Sequence, residues 1–118
     1  MKFDLLTIFP DSLNSYFDSS IIKKARDKKL INIKIHDIRN QTTDKRRTMD
    51  DTPYGGGPGM VLQIAPVYKT IKKIYKRKNK STRVILLSPR GQTLTQNKVK
   101  ELSKYKRLIL IAGHYEAI

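Results

Sequence analysis

Residues 2–9, KFDLLTIF, alternate and then run apolar up to Pro10, the pattern of a buried strand ended by proline. Leu13, Tyr16 and Phe17 then recur at helical spacing behind Asp11 or Ser12, either of which can cap the helix. A second short helix is expected at about residues 21–28. In LINIKIHDI, residues 30–38, Ile31, Ile33 and Ile35 alternate with Asn32, Lys34 and His36, the two-residue period of a half-buried strand. From Arg39 to Gly59 the pattern stops. A polar, Gly- and Pro-rich stretch of about 20 residues is long for a compact domain, and such stretches are usually functional or disordered. Ile64, Val67, Ile71 and Ile74 then share one helical face, with lysines and arginines from Lys69 to Lys80 covering the rest, so an amphipathic, strongly basic helix is expected. RVILLS, residues 83–88, stops at Pro89, and RLILIA, residues 107–112, stops at Gly113; both read as strands. Between them residues 96–104 read as a helix with Thr95 as its N-cap. Strands alternating with helices predict an α/β fold, a mostly parallel sheet with flanking helices.

The chain has 118 residues, about one domain, and 38% apolar residues are enough for one modest core. Cysteine is absent from the sequence, which removes disulfides, thiolate metal sites and thiol nucleophiles, and two histidines leave little for a His-rich metal centre. Asp4 and Pro10 interrupt what would have to be a signal-peptide core, and no window approaches a membrane span, so a cytoplasmic protein without a membrane partner is expected. A net charge of +15 favours a polyanionic partner, nucleic acid or an anionic membrane surface. The competing reading is compositional: 17 of the 25 basic residues are Lys, and Ile is also abundant, as an AT-rich genome would produce without selection for binding.

Four segments could carry chemistry. In RRTMDDTPYGGGPGM, residues 46–60, four glycines fall between Gly55 and Gly59, where they let backbone approach a ligand while Pro53 and Pro58 stiffen the loop. It lacks the Gly-Lys-Ser/Thr of a phosphate-binding loop, and no strand leads into it as in a dinucleotide fold; a flexible linker is the plain alternative. Asp50 and Asp51 could bind a hydrated Mg2+ or accept hydrogen bonds from a guanine edge. They could equally cap a helix or pair with Arg46 and Arg47. LLSPRGQTL, residues 86–94, is a strand end followed by a Pro/Gly turn, which suits a small cofactor at a sheet's carboxyl edge or simply connects strand to helix. AGHYEAI, residues 112–118, repeats that arrangement with His114 and Glu116, residues that are more often a hydrogen-bonded loop histidine and a solvated carboxylate. If the two strands are neighbours, the exits at Ser88-Pro89 and Gly113 lie close together. The fourth segment is the basic helix face, a solvated surface or a phosphate contact that reads no sequence.

Taken jointly, TIFP, IRN, RRTMDDTPYGGGPGM, LLSPRGQTL and LILIAGHYE resemble the bacterial tRNA (guanine-N1-)-methyltransferase family along the whole chain, and DDTPYGGGPGM is highly specific for it. The resemblance implies a SPOUT-type methyltransferase domain with a trefoil knot at the sheet's carboxyl edge, an exception to the usual rules of chain connection. It implies S-adenosylmethionine as methyl donor, tRNA as substrate, methylation at N1 of the guanosine 3′ of the anticodon, and a homodimer with a shared active site. By the same resemblance Leu86, Leu87, Ser88, Pro89, Arg90, Gly113, Tyr115 and Glu116 fall on cofactor-binding loops. Asp50, Tyr54, Gly55 and Gly59 fall on the loop that approaches the target guanine. Glu116 is expected to act as an auxiliary group near the methyl donor; the general base is an aspartate expected beyond residue 118. Residues 1–118 are therefore expected to be the N-terminal portion of the knotted domain, with the knot incomplete, the C-terminal tRNA-binding domain absent and this piece alone inactive. A non-catalytic RNA-binding fragment is the alternative. Ala117 departs from the family pattern, where glycine is usual; if that position has a positive φ, alanine strains the loop by roughly 1 kcal/mol or more.

Overall fold

The computed structural model describes residues 1–18, 20–41, 50–51, 61–62, 64–88 and 91–112. Strand β1 (Lys2–Thr7) is followed by helices α1 (Pro10–Phe17) and α2 (Ser20–Asp27), strand β2 (Asn32–Asp37) and a 3₁₀ turn, Ile38–Gln41. Strands β3 (Asp50–Asp51) and β4 (Val61–Leu62), helix α3 (Ile64–Ile74), strand β5 (Thr82–Leu87), helix α4 (Gln96–Leu102) and strand β6 (Arg107–Ala112) complete the order. The main sheet has the order β2-β1-β6-β5, and each of its pairings is parallel. Parallel neighbours need crossover connections, which is why helices alternate with the strands as the hydrophobic pattern predicts.

In-register pairing sorts the side chains. Leu6 lies beside Ile111 on one side and His36 on the other, and Asp4 lies beside Ile109. On this face Leu6, Ile8, Ile38, Ile109 and Ile111 are buried together with Val67 of α3, and Ile71, Ile74 and Tyr75 pack against them. The opposite face offers Phe3, Leu5, Ile33 and Leu110, which with Phe17 of α1 and Ile22 of α2 line an apolar cleft of about 260 Å³. Both faces of the central strands are therefore apolar, as expected of a sheet covered by helices on each side.

Several boundaries differ from the pattern. Helix α1 starts at Pro10 behind Phe9, with no side-chain cap, so neither Asp11 nor Ser12 fills that position; proline suits the first turn because its missing N–H would have no partner there. Helix α3 stops at Ile74, and Lys76 to Lys80 belong to the connection to β5 rather than to a helix face. The end is capped from a distance: Arg107 Nη2 donates to the Ile74 carbonyl at 2.9 Å, satisfying an acceptor in the last turn where a cation also suits the helix dipole. The stretch from Arg39 to Gly59 is not structureless at its start, where the 3₁₀ turn holds residues 38–41, and Asp50 and Asp51 pair antiparallel with Leu62 and Val61. Thr95 does cap α4, its hydroxyl accepting from the Lys98 N–H at 3.2 Å.

Helix α2 ends in a Schellman motif: the Leu30 N–H donates to the Ala25 carbonyl at 3.0 Å and the Lys29 N–H to that of Arg26 at 2.9 Å. Lys29 sits at φ 58°, the left-handed position that glycine usually fills. Lys29→Gly is expected to stabilise the intact protein by about 1 kcal/mol, read from its denaturation midpoint at unchanged slope.

Candidate functional site

The four parallel strands finish at one edge of the sheet. In such sheets ligands bind outside the carboxyl ends of the strands. Strands β5 and β6 are neighbours, and their last residues, Leu87 and Ala112, are paired, so the two segments singled out as cofactor-binding follow strands that end side by side. Nothing local in either segment announces that proximity; only the strand order creates it.

Of the expected cofactor residues, Leu86, Leu87 and Ser88 line a cleft of about 620 Å³ between β5 and α4. Its walls include Leu94, Leu102, Leu108 and Leu110, and Arg83, Ser88, Gly91, Gln92 and Lys98 supply its polar part. Leu86 and Leu87 are about half exposed, at 49% and 52%, and both border the cleft, Leu87 from the Leu110 face of the sheet. The Gly91 N–H donates to the Ser88 carbonyl at 3.1 Å, closing the chain back toward the strand. A β-carbon at Gly91 would lie 3.3 Å from that same oxygen, so the turn is tight enough to favour glycine. Pro89, Arg90, Gly113, His114, Tyr115 and Glu116 lie outside the described residues, as do Tyr54, Gly55 and Gly59 of the expected guanine-binding loop. Asp50 is described as a strand residue, paired with Leu62, at one foot of that loop.

Two features of the same sheet were not legible as chemistry in the pattern. At the middle of the carboxyl edge, the Arg39 guanidinium lies 5.3 Å from the centre of the Phe9 ring, and the Arg39 N–H donates to Asp37 Oδ1 at 2.9 Å. Phe9 and Arg39 belong to the TIFP and IRN strings, but neither string assigns them a role. Deeper in the sheet, Asp4 is 1% exposed and is held from two sides. Its Oδ1 is 2.8 Å from His36 Nε2, and its Oδ2 accepts from Arg107 Nε at 2.7 Å. Burial raises the Asp4 pKa, but the hydrogen bonds with His36 and Arg107, with the charges of Arg107 and Lys2, outweigh it and hold the carboxyl below its ordinary value. A carboxylate inside an apolar strand is itself a signal that a buried partner must exist. The sequence does not say which.

No described group of three or more His, Cys, Asp or Glu could hold a metal ion, and no described helix is long and apolar enough to cross a membrane.

The family model described as "tRNA (Guanine-1)-methyltransferase TrmD" matches residues 1–118. The chain is 46% identical over 118 residues to a tRNA (guanine-N(1)-)-methyltransferase of Thermomicrobium roseum, covering 100% of the chain and 44% of that protein. It is 47% identical over 118 residues to the protein of the same name from Dictyoglomus turgidum, covering 100% and 47%. A crystal structure of tRNA (m1G37) methyltransferase from Aquifex aeolicus superposes with a TM-score of 0.83 at 34% identity, over 100% of this chain and 53% of that one. The chain thus spans about half the length of the relatives it matches.

Proposed function

The chain belongs to the tRNA (guanine-1)-methyltransferase family, and from that premise we propose that the whole protein transfers a methyl group from S-adenosylmethionine to N1 of the guanosine 3′ of the anticodon. The observation that carries this reading is the paired ending of β5 and β6 at Leu87 and Ala112 beside a leucine-walled cleft.

The cleft fits the cofactor by its chemistry. A purine presents flat apolar faces, which Leu86, Leu87 and Leu94 can cover, and a ribose presents hydroxyls, which suit a rim carrying Ser88 and Gln92. S-adenosylmethionine bound there supplies an electrophilic methyl group, so the protein's main tasks are positioning the guanine and removing its N1 proton. Pro89, Arg90, Gly113, Tyr115 and Glu116 complete the cofactor loops in this reading, with Glu116 auxiliary to the transfer. Asp50, Tyr54, Gly55 and Gly59 meet the guanine, which must leave its stack to be reached. Residues 1–118 then form the N-terminal portion of the methyltransferase domain, in a homodimer that shares its sites. A magnesium ion held through water by Asp50 or Asp51 is a further part of the proposal, since magnesium usually keeps several waters and needs few carboxylates.

The test is transfer of labelled methyl from S-adenosylmethionine to tRNA by the intact protein, with the position read by primer extension. N1 lies on the pairing edge, so methylation there stops the extending enzyme at that guanosine. Incorporation that persists when this guanosine is replaced by adenosine overturns the reading. Binding of tRNA without transfer points instead to a non-catalytic RNA-binding protein. Loss of transfer on chelation, restored by Mg2+ alone, is expected if the metal takes part.

A further inference from the structure

The amino edge of the sheet lies at the opposite end of β5 from the Leu87 and Ser88 exit, and Arg83 borders clefts at both ends. Among the described residues, the connections 28–31, 75–81 and 103–106 that lead into its strands hold eight lysines and arginines and no carboxylate. The carboxyl-edge connections mix both signs in the sequence, with Arg39, Lys45, Arg46, Arg47 and Arg90 beside Asp44, Asp50, Asp51 and Glu116, so the carboxylate-free run of cations is what sets the amino edge apart.

Part of the amino edge is concave. A cleft of about 580 Å³ at the start of β5 is lined by Lys78, Asn79, Lys80, Thr82, Arg83 and Tyr105. Its walls are held in place. Asn79 Oδ1 accepts from the Ser81 N–H at 3.1 Å and from its hydroxyl at 2.9 Å, and the Asn79 N–H donates to the Tyr75 hydroxyl at 3.0 Å. The Ser81 carbonyl accepts from the backbone N–H groups of Lys106 and Arg107 at 2.9 and 3.2 Å. The connection bearing Lys78 and Lys80 is thereby tied to the end of α3 and to the start of β6. On the other wall the Arg83 guanidinium lies 5.9 Å from the centre of the half-buried Tyr105 ring and donates from Nη1 to its hydroxyl at 3.2 Å. Exposed lysines on a tethered backbone, beside a guanidinium and an aromatic ring, are the parts with which proteins hold a phosphodiester backbone and stack an unpaired base.

We propose that this cleft is a second RNA contact, in which Lys78 and Lys80 hold backbone phosphates and the Arg83–Tyr105 pair receives a base. Its Thr82 end stands about 17 Å along β5 from Leu87, by the rise of five strand steps, with Arg83 bordering both clefts. The inference rests on the reading of the protein as acting on tRNA, and gives that substrate a second hold far from the modified guanosine. A recessed, hydrogen-bonded tyrosine suits a base entering a cleft better than a lipid interface, which rewards protruding apolar side chains.

The experiment measures tRNA affinity of the intact protein across a salt series, and methyl transfer at saturating tRNA. The double variant Lys78→Gln, Lys80→Gln is expected to weaken tRNA binding about tenfold near physiological salt and to reduce the slope of log affinity against log salt by about 1.5, two phosphate contacts' worth. Transfer at saturating tRNA stays at the parent rate. Lys78→Arg with Lys80→Arg keeps the slope, and Tyr105→Leu weakens binding without changing it, because stacking releases no counterions. An unchanged affinity and slope in the glutamine variant, with the parent still methylating tRNA, overturns this inference alone. A parent that binds but never methylates tRNA overturns the proposed function instead. Loss of binding to phosphatidylglycerol vesicles with tRNA binding intact also overturns the inference and assigns the edge to a membrane surface.

Discussion

Replacing Asp4 with alanine in the intact protein lowers its unfolding free energy by about 3–5 kcal/mol, the usual cost of removing one partner of a buried ion pair. The size follows from what is left behind. Arg107 keeps its donation to the Ile74 carbonyl but loses its carboxylate, and its side chain is only 19% exposed, so water restores little of the lost interaction. His36 loses its partner as well. The effect is read by denaturant titration, and a loss below about 1 kcal/mol, the range of exposed pairs, sinks the argument. The pH dependence has a definite sign. The folded-state pKa of Asp4 lies below its unfolded value, so its contribution is fully present above the unfolded value, about 3.9, and disappears as pH falls through the folded one. The stability gap between the parent and Asp4→Asn therefore narrows on acidification below about pH 4. A gap that widens there contradicts the assignment of a charged Asp4 held by Arg107, His36 and Lys2.

Strand β6 is observed over the residues its pattern predicts because RLILIA is bounded by a polar run and a glycine, and α4 because Thr95 starts it with a local hydrogen bond. Local rules suffice where the cause is local. They fail for α3, where the lysine pattern continues past Ile74 as though the helix did, and the side chain that caps its last-turn carbonyl is Arg107, 33 positions away. The partnership of Asp4 with the same arginine spans 103 positions, and the pairing of Asp50 with Leu62 closes a loop that polarity alone made look open. The site divides in the same way. Leu86 to Ser88 could be nominated from a strand end and a turn, and from resemblance to a family. That the second nominated segment follows a neighbouring strand depends on the order β2-β1-β6-β5, which is a property of the whole sheet.

The cleft proposed for the cofactor carries the other large effect. Gly91→Val in the intact protein is expected to weaken S-adenosylhomocysteine binding at least tenfold, about 1.4 kcal/mol or more, while leaving the thermal midpoint nearly unchanged. The first part rests on contact geometry. A β-carbon at residue 91 meets the Ser88 carbonyl at 3.3 Å, so that carbonyl must give by a few tenths of an ångström, and Ser88 and Gly91 both line the cleft. The two methyl groups of valine then add bulk where Leu86, Leu87 and Leu94 would cover the purine. The second part rests on location. The buried core of the α3 face, around Leu6, Ile109 and Ile111, contains no residue of this turn, so the strain falls on the edge of β5 rather than on the fold. Gly91→Ala makes the graded comparison, because alanine brings the close contact without the extra bulk. Titration calorimetry of S-adenosylhomocysteine into the three proteins separates the outcomes. A stepwise loss from glycine to alanine to valine at constant thermal midpoint assigns the cleft to the cofactor. Equal affinities across the series mean that the cofactor binds away from the Ser88–Gly91 turn, and the paired strand ends at Leu87 and Ala112 then no longer support the functional reading.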